Sequence, residues 1–198
     1  QVIDNSSAAV AFFLTPRPDE QVLDLCAAPG GKTCHIADLM GGRGRVVAAD
    51  ISQARLKRVR QNVRRLGLTN IECVESEGTA FCVTVRARFD AVLVDAPCTN
   101  TGVLHRRPEA RWRLNARALD ELIARQAALA ESAAGALRPG GRLVYSTCSL
   151  EPEENGLLVR GIAERTGLAL EREEQILPSE DGDGIYMALL RRRGDPES

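Results

Sequence analysis

Val22-Leu23-Asp24-Leu25-Cys26-Ala27-Ala28-Pro29-Gly30-Gly31-Lys32-Thr33 is a short apolar run followed at once by a loop of small residues, and a helical pattern continues from it to about Met40. A strand, a small-residue loop and a helix in this order form the unit at which an open α/β sheet binds a nucleotide. Small side chains let a ligand approach the backbone, and the helix N-terminus offers free N–H groups to a carboxylate or phosphate. Outward from this unit, strand-like runs recur at Arg45–Ala49, Ile71–Val74, Asp90–Val94, Arg142–Ser146 and Ile185–Leu190, each short and apolar enough for a buried strand. Helical patterns fall between them. Leu56, Val59, Val63 and Leu66 repeat at helical spacing, and Leu119, Leu122, Ile123, Gln126, Leu129, Ala130, Ala133 and Leu137 mark one long face. Gly67 and Pro139-Gly140-Gly141 supply stop signals. Alternation of this kind predicts a parallel sheet wrapped by helices on both faces.

The loop itself narrows the ligand. Gly31-Lys32-Thr33 has the ending of a phosphate-binding P-loop, but that motif needs glycine at position 26, where this chain has Cys26. The G-x-G-x-x-G spacing of a dinucleotide site is absent too, because positions 26 to 31 read C-A-A-P-G-G. Asp50 ends the next strand, where an acidic side chain can hold both ribose hydroxyls. What remains is S-adenosylmethionine.

Composition sets the outer bounds. The 198 residues are 44% hydrophobic but only 4% aromatic, so a single core built on Leu, Val, Ile and Ala is expected. The expected domain covers residues 1–190, with a disordered tail at 191–198. No apolar run approaches the roughly 20 residues needed to cross a bilayer, and no charged-then-apolar leader is seen. A cytoplasmic protein without membrane contact is therefore the expectation. The chain opens on Gln1 rather than Met, which leaves room for a preceding segment. None of the six cysteines forms a C-x-x-C pair, and His35 and His105 do not complete a zinc site, so reduced thiols and no metal are expected. A net charge of −1 argues against coating nucleic acid through a global positive field. Two local clusters stand out: Arg55, Lys57, Arg58, Arg60, Arg64 and Arg65 read as a solvated helix face, whereas Arg106, Arg107, Arg111, Arg113 and Arg117 adjoin a cysteine motif and read as contacts to RNA phosphates.

That motif is Asp95-Ala96-Pro97-Cys98, at the C-terminal end of the strand Asp90–Val94, and its counterpart is Thr147-Cys148-Ser149 after Arg142–Ser146. In a doubly wound sheet both ends line one crevice, so two thiols and a carboxylate are expected to converge beside the cofactor. A thiol fits one chemistry well. Carbon 5 of cytosine is too weak a nucleophile to attack a methyl sulfonium, but a thiolate adding to carbon 6 turns the ring into an enamine. Cysteine is nucleophilic near neutral pH and can also depart, and Asp95 is placed to hydrogen-bond the ring nitrogen as charge develops.

Asp24–Thr33, the run from Asp95 through Thr101-Gly102-Val103-Leu104 to Arg111-Trp112-Arg113, and Tyr145-Ser146-Thr147-Cys148-Ser149 with Pro152-Glu153-Glu154-Asn155 resemble the Sun/RsmB/NSUN family of RNA 5-methylcytosine methyltransferases. Residues 1–15 resemble the family's entry motif. The resemblance implies a Rossmann-like class I methyltransferase fold: a doubly wound, mostly parallel seven-stranded sheet whose last strand, Ile185–Leu190, is antiparallel. It implies Cys148 as nucleophile, Cys98 as the thiol that helps release product, and Asp95 and Lys32 in contact with the target base. It also implies that Cys26, Ala27, Ala28, Pro29, Gly30, Gly31, Lys32, Asp50, Glu77 and Asp95 line the site of S-adenosyl-L-methionine. Two positions depart from the family pattern: Glu77 stands where aspartate is usual, and Thr99-Asn100 replaces Ser-Gly in the loop over the base.

A DNA cytosine methyltransferase would use the Pro-Cys thiol as nucleophile and carry a Glu-Asn-Val motif. None occurs, and the nearest string, Glu154-Asn155-Gly156, lies beyond Cys148. A catalytically silent RNA-binding module would not be expected to retain both cysteines, Asp95 and the intact loop. By analogy with the family the expected partner is ribosomal RNA, with transfer RNA as the alternative.

Overall fold

The strand Val22–Leu25, the small-residue loop and the helix after it pack as one unit. In the computed structural model, which describes residues 5–113, 115–180 and 182–194, α1 (Asn5–Leu14) is followed by β1 (Gln21–Leu25), the small-residue loop and α2 (Gly31–Leu39). Next come β2 (Arg45–Asp50), α3 (Gln53–Leu66), β3 (Ile71–Glu75), α4 (Gly78–Thr84) and β4 (Phe89–Asp95). A 3-10 turn (Thr101–Val103) and the short α5 (Ala110–Arg113) lead to the long α6 (Ala116–Ala136), β5 (Leu137–Thr147), α7 (Gly156–Thr166), β6 (Ala169–Ile176) and β7 (Ile185–Arg191).

Seven strands form one sheet in the order β3-β2-β1-β4-β5-β7-β6. The five from β3 to β5 pair in parallel, and β7 runs antiparallel to both of its neighbours. The chain leaves β1 on one side through β2 and returns on the other through β4, so the crevice of a doubly wound sheet opens at the C-terminal ends of these strands. Alternate residues of the central strands serve opposite faces. Leu23, Leu25, Val92, Val94 and Tyr145 pack under Leu129 and Ala133 of α6 and Val159 and Ile162 of α7, whereas Val22, Val46, Leu93 and Val144 pack under Val10 and Leu14 of α1 and Ile36 of α2.

α3 starts and stops where its sequence signals place it. The Ser52 hydroxyl accepts from the Arg55 N–H, and Gly67 takes the left-handed conformation at φ 66°. Buried Arg142 of β5 fastens the end of α1 and the loop that follows it. Arg142, 6% exposed, donates to Leu14 O (2.7 Å), Thr15 O (2.8 Å) and both carboxylate oxygens of Glu20 (2.9 and 2.6 Å).

Three expectations need correction. β6 was not foreseen, because its sequence, Ala169–Ile176, is charged rather than apolar. It is an edge strand with most side chains in solvent, and charge along such an edge discourages pairing with another chain. Leu137 belongs to β5 and not to α6, since its extended backbone (φ −72°, ψ 136°) pairs it with Phe89. The tail expected from Arg191 is paired at its start: Arg191 ends β7, Arg192 N–H donates to Gly141 O (2.9 Å) and Gly140 N–H donates to Arg193 O (3.3 Å). Residues 195–198 and the first four of the expected entry motif lie outside the described residues. No helix among the described residues is long and apolar enough to cross a membrane.

Candidate active site

The C-terminal ends of β1, β2, β4 and β5 open onto one cleft of about 850 Å³. On its β1–β2 side the small-residue loop supplies Cys26, Ala28, Pro29 and Lys32 to the wall. Ala27, Gly30 and Gly31, expected to line the site, are not among the residues of the cleft wall. Ala27 N–H donates to Ala49 O (3.0 Å), and Gly30, at φ 99°, passes so close to α3 that a β-carbon there would lie 3.0 Å from Val59. No side chain caps α2 at Gly30, so its first turn keeps N–H groups that no side chain claims. Burial pushes the Cys26 thiol up to about 12, which leaves it inert at neutral pH. Burial likewise lifts the Asp24 carboxyl to about 7; it accepts from Thr33 Oγ1 (2.6 Å) and ties β1 to α2 behind the loop.

Asp50 ends β2 with its side chain 1% exposed. It accepts from Ala28 N–H (3.2 Å) and Ser52 N–H (3.0 Å), and Arg55 approaches at 3.3 Å. Arg55 also donates to Ala28 O (3.1 Å), and Arg58 lines the cleft, so these two members of the first basic cluster are not simply a solvated face. Glu77 lines the cleft as well, but its carboxylate caps α4, accepting from Ala80 N–H (2.9 Å) and the Thr79 hydroxyl. The Thr79 hydrogen bond is the main cause that holds the Glu77 carboxyl below the usual carboxylate range.

On the β4–β5 side the two thiols meet. Cys98 Sγ lies 3.2 Å from Cys148 Sγ, and Cys148 Sγ also lies 3.2 Å from Asn100 Oδ1. Beside them Lys32 Nζ donates to Asp95 Oδ2 (2.8 Å), and the Ser146 hydroxyl donates to Asp95 Oδ1 (2.8 Å). Burial works against the charge on Lys32, but the Asp95 carboxylate outweighs it and holds the ammonium above the usual lysine value. The thiols divide. The hydrogen bond from Cys98 holds Cys148 below the usual thiol range, with Lys32 helping, and the same contact together with burial pushes Cys98 well above it.

Sequence reasoning missed what holds this pair. Glu154 is fully buried and accepts from Thr99 N–H (3.0 Å), from the Thr99 and Ser149 hydroxyls and from Gln126 Nε2 (2.7 Å). It thereby joins the loop that carries Cys98, the loop that carries Cys148, and α6. Gly102 N–H donates to Cys148 O (2.9 Å), and Gly184 N–H in turn donates to Gly102 O (2.8 Å). A β-carbon on Gly102 would lie 2.7 Å from Gly184 O, so only glycine fits. Asp183, beside Gly184, is ion-paired with Arg106 and lies 3.2 Å from His105. Arg106 and Arg107 line the cleft, Arg117 pairs with Glu121 (2.9 Å), Arg111 is exposed, and the Arg113 side chain lies outside what is described. No group of three His, Cys, Asp or Glu side chains among the described residues is arranged to hold a metal ion.

Residues 11–191 match the family model described as 16S rRNA methyltransferase RsmB/F. The chain is 39% identical over 204 residues to ribosomal RNA small subunit methyltransferase B of Klebsiella pneumoniae, covering 97% of this chain and 46% of that protein. It is 40% identical to the protein of the same name from Salmonella paratyphi B, covering 97% of this chain and 47% of that one. The chain thus spans about half the length of the curated relatives it matches. Among solved structures it resembles NSun6 from Pyrococcus horikoshii with SFG (TM-score 0.88, 33% identity, 98% of this chain and 53% of that one). A SAM dependent methyltransferase from Aquifex aeolicus shares the fold (TM-score 0.64, 17% identity, 93% of this chain and 88% of that one).

Proposed function

Because this chain belongs to the RsmB/F family of 16S rRNA methyltransferases, we propose that it methylates carbon 5 of a cytosine in RNA, with Cys148 as nucleophile, S-adenosylmethionine as methyl donor and small-subunit ribosomal RNA as substrate class. The observation that carries the chemistry is the pair of thiols 3.2 Å apart beside the Lys32–Asp95 pair.

The cleft fits the donor. The first turn of α2 keeps N–H groups suited to a ligand carboxylate, Asp50 is a buried carboxylate at the cleft wall suited to ribose hydroxyls, and Ile51 beside it exposes 54% of its surface as an apolar bed for a flat ring. The NSun6 relative carries SFG, an analogue of S-adenosylmethionine. When bound, S-adenosylmethionine supplies an electrophilic sulfonium methyl group for carbon 5.

The protein's own groups make carbon 5 receptive. Cys148, the thiol with the lowered pKa, adds its sulfur to carbon 6 and pushes the ring electron pair toward carbon 5. Asp95, clamped between Lys32 and Ser146, accepts a hydrogen bond from the exocyclic amino group of the cytosine, and the Lys32 ammonium beside it offsets the negative charge that builds on the ring as the sulfur adds. Once the Cys148 sulfur is bonded to carbon it no longer bears charge, and the main influence that raised Cys98 is gone. Cys98 then loses its proton to water in the cleft and, as thiolate, takes the proton from carbon 5. The carbon 5–carbon 6 double bond re-forms, and Cys148 leaves as thiolate.

The division of labour has a direct test. With S-adenosylmethionine and small-subunit ribosomal RNA, Cys98→Ala accumulates a protein–RNA adduct that survives a denaturing gel and maps to Cys148 by mass spectrometry, whereas Cys148→Ala forms neither adduct nor product. An adduct that accumulates in Cys148→Ala and maps to Cys98 reverses the roles.

A further inference from the structure

Behind the Cys98 loop lies a second groove of about 480 Å³, walled by that loop, by the segment from Arg107 to Ala110 and by the first turns of α6. Cys98, Asn100, Arg107 and Arg125 line both this groove and the catalytic cleft, so the two hollows share one wall. Arginine on that wall attracts phosphate. Glu109 and Glu121 line the second groove but not the cleft, together with the apolar Ala110, Ala118 and Leu122. Two carboxylates repel a phosphate but accept hydrogen bonds from the edge of a base, and the apolar surface suits its flat face.

We propose that this groove holds the base of the nucleotide adjacent to the target cytosine and selects for one that presents hydrogen-bond donors, guanine foremost, through Glu109 and Glu121. The inference rests on the reading of the chain as an RNA methyltransferase and adds a sequence preference to it. With the target cytosine in the catalytic cleft, its neighbour in the strand is carried past the shared wall, where Arg107 and Arg125 meet the connecting phosphate. Guanine offers N1–H and its 2-amino group side by side, two donors that a single carboxylate accepts together. Uracil offers one donor flanked by two carbonyl oxygens, which a carboxylate repels. Glu121 already pairs with Arg117 at 2.9 Å, but both side chains are exposed and such a pair is readily exchanged.

The test is fluorescence anisotropy of the whole chain with labelled five-nucleotide RNAs that hold one cytosine flanked, on the 5′ side in one series and the 3′ side in the other, by guanosine, inosine or uridine. In one of the two series guanosine binds roughly tenfold more tightly than uridine, the size of one good bidentate contact. Inosine, which lacks the 2-amino group, falls between. The spread collapses in the double variant Glu109→Ala, Glu121→Ala. Because both residues line an exposed groove rather than the core, circular dichroism of the variant should match that of wild type. Equal affinities in wild type in both series, or an unchanged preference in the double variant, overturn the subsite. The same mixtures with methyl-labelled S-adenosylmethionine report on the parent reading separately: base preference without methyl transfer contradicts methylation while supporting the groove, and methyl transfer without base preference does the reverse.

Discussion

A thiol is a useful nucleophile as thiolate, so what matters at Cys148 is the neighbour that keeps its proton off. That neighbour is Cys98, which hydrogen-bonds to it and is itself pushed up by the same contact. Since Cys148 lies below the ordinary thiol value, its thiolate is present at lower pH than that of a free cysteine. Removing Cys98 removes the largest cause of that lowering. In Cys98→Ala the pH at which iodoacetamide alkylates Cys148 at half its maximal rate therefore moves upward, as read by peptide mass spectrometry, and an unmoved profile would contradict the coupling. At this scale the sequence was informative where chemistry clusters in a short string. Asp95, Cys98 and Cys148 are recognisable because they stand at or just after strand ends, whereas Lys32 is marked only by the family resemblance. Glu77 was legible only as a carboxylate near the cofactor side, and its cap on α4 depends on the Thr79 and Ala80 geometry, which a list of residues does not carry.

Elements hold the two thiols in register, and Glu154 is where three of them meet. Glu154→Ala leaves Thr99 N–H without its acceptor, while the Gln126 amide keeps Pro97 O (2.9 Å) and the Thr99 and Ser149 hydroxyls keep each other (3.0 Å), and an orphaned buried donor costs about 1–3 kcal/mol. A urea titration of the variant should show a loss of about 1–3 kcal/mol. Glu154→Gln keeps one acceptor oxygen and should lose less, while still loosening the contact between the Cys98 and Cys148 loops, so that alkylation of Cys148 requires higher pH than in wild type. Neither effect was visible in the sequence. Glu154 sits in a run of polar residues after Cys148, with no periodicity to show that it turns inward, and burial of a carboxylate runs against its usual preference. β6 escaped for the opposite reason. Hydrophobic periodicity finds strands buried on at least one face, and an edge strand such as Ala169–Ile176 carries Glu171, Arg172, Glu173 and Glu174 in sequence. The central strands, by contrast, carry apolar runs because both faces are covered, and β1, β2 and β4 lie within a residue of those runs at each end, whereas β5 starts five residues earlier, at Leu137, through the polar stretch Arg138–Gly141.

At the scale of the whole molecule a net charge of −1 coexists with arginines at the mouth of the cleft, so the RNA binding that the proposed function requires would be local. If Arg107 and Arg111 meet phosphates, neutralising both should flatten the slope of log affinity against log salt by roughly 0.7 per lost contact on single-stranded RNA, whereas neutralising Lys57 and Arg64, on the exposed side of α3, should leave it unchanged. The fold was legible at this scale because three motifs lie in order along alternating strands and helices, and the switch point between β1 and β4 brings their ends together. The central claim is that methyl transfer proceeds at carbon 5 through addition of a thiol at carbon 6, and it is tested most directly by the fate of the hydrogen on carbon 5. Small-subunit ribosomal RNA transcribed with cytidine tritiated at carbon 5 is incubated with the protein and S-adenosylmethionine, and tritium released to water is compared with methyl groups transferred. The account predicts one tritium released per methyl group, and neither in Cys148→Ala. Methyl groups transferred with the tritium retained would place the reaction at another atom and contradict it.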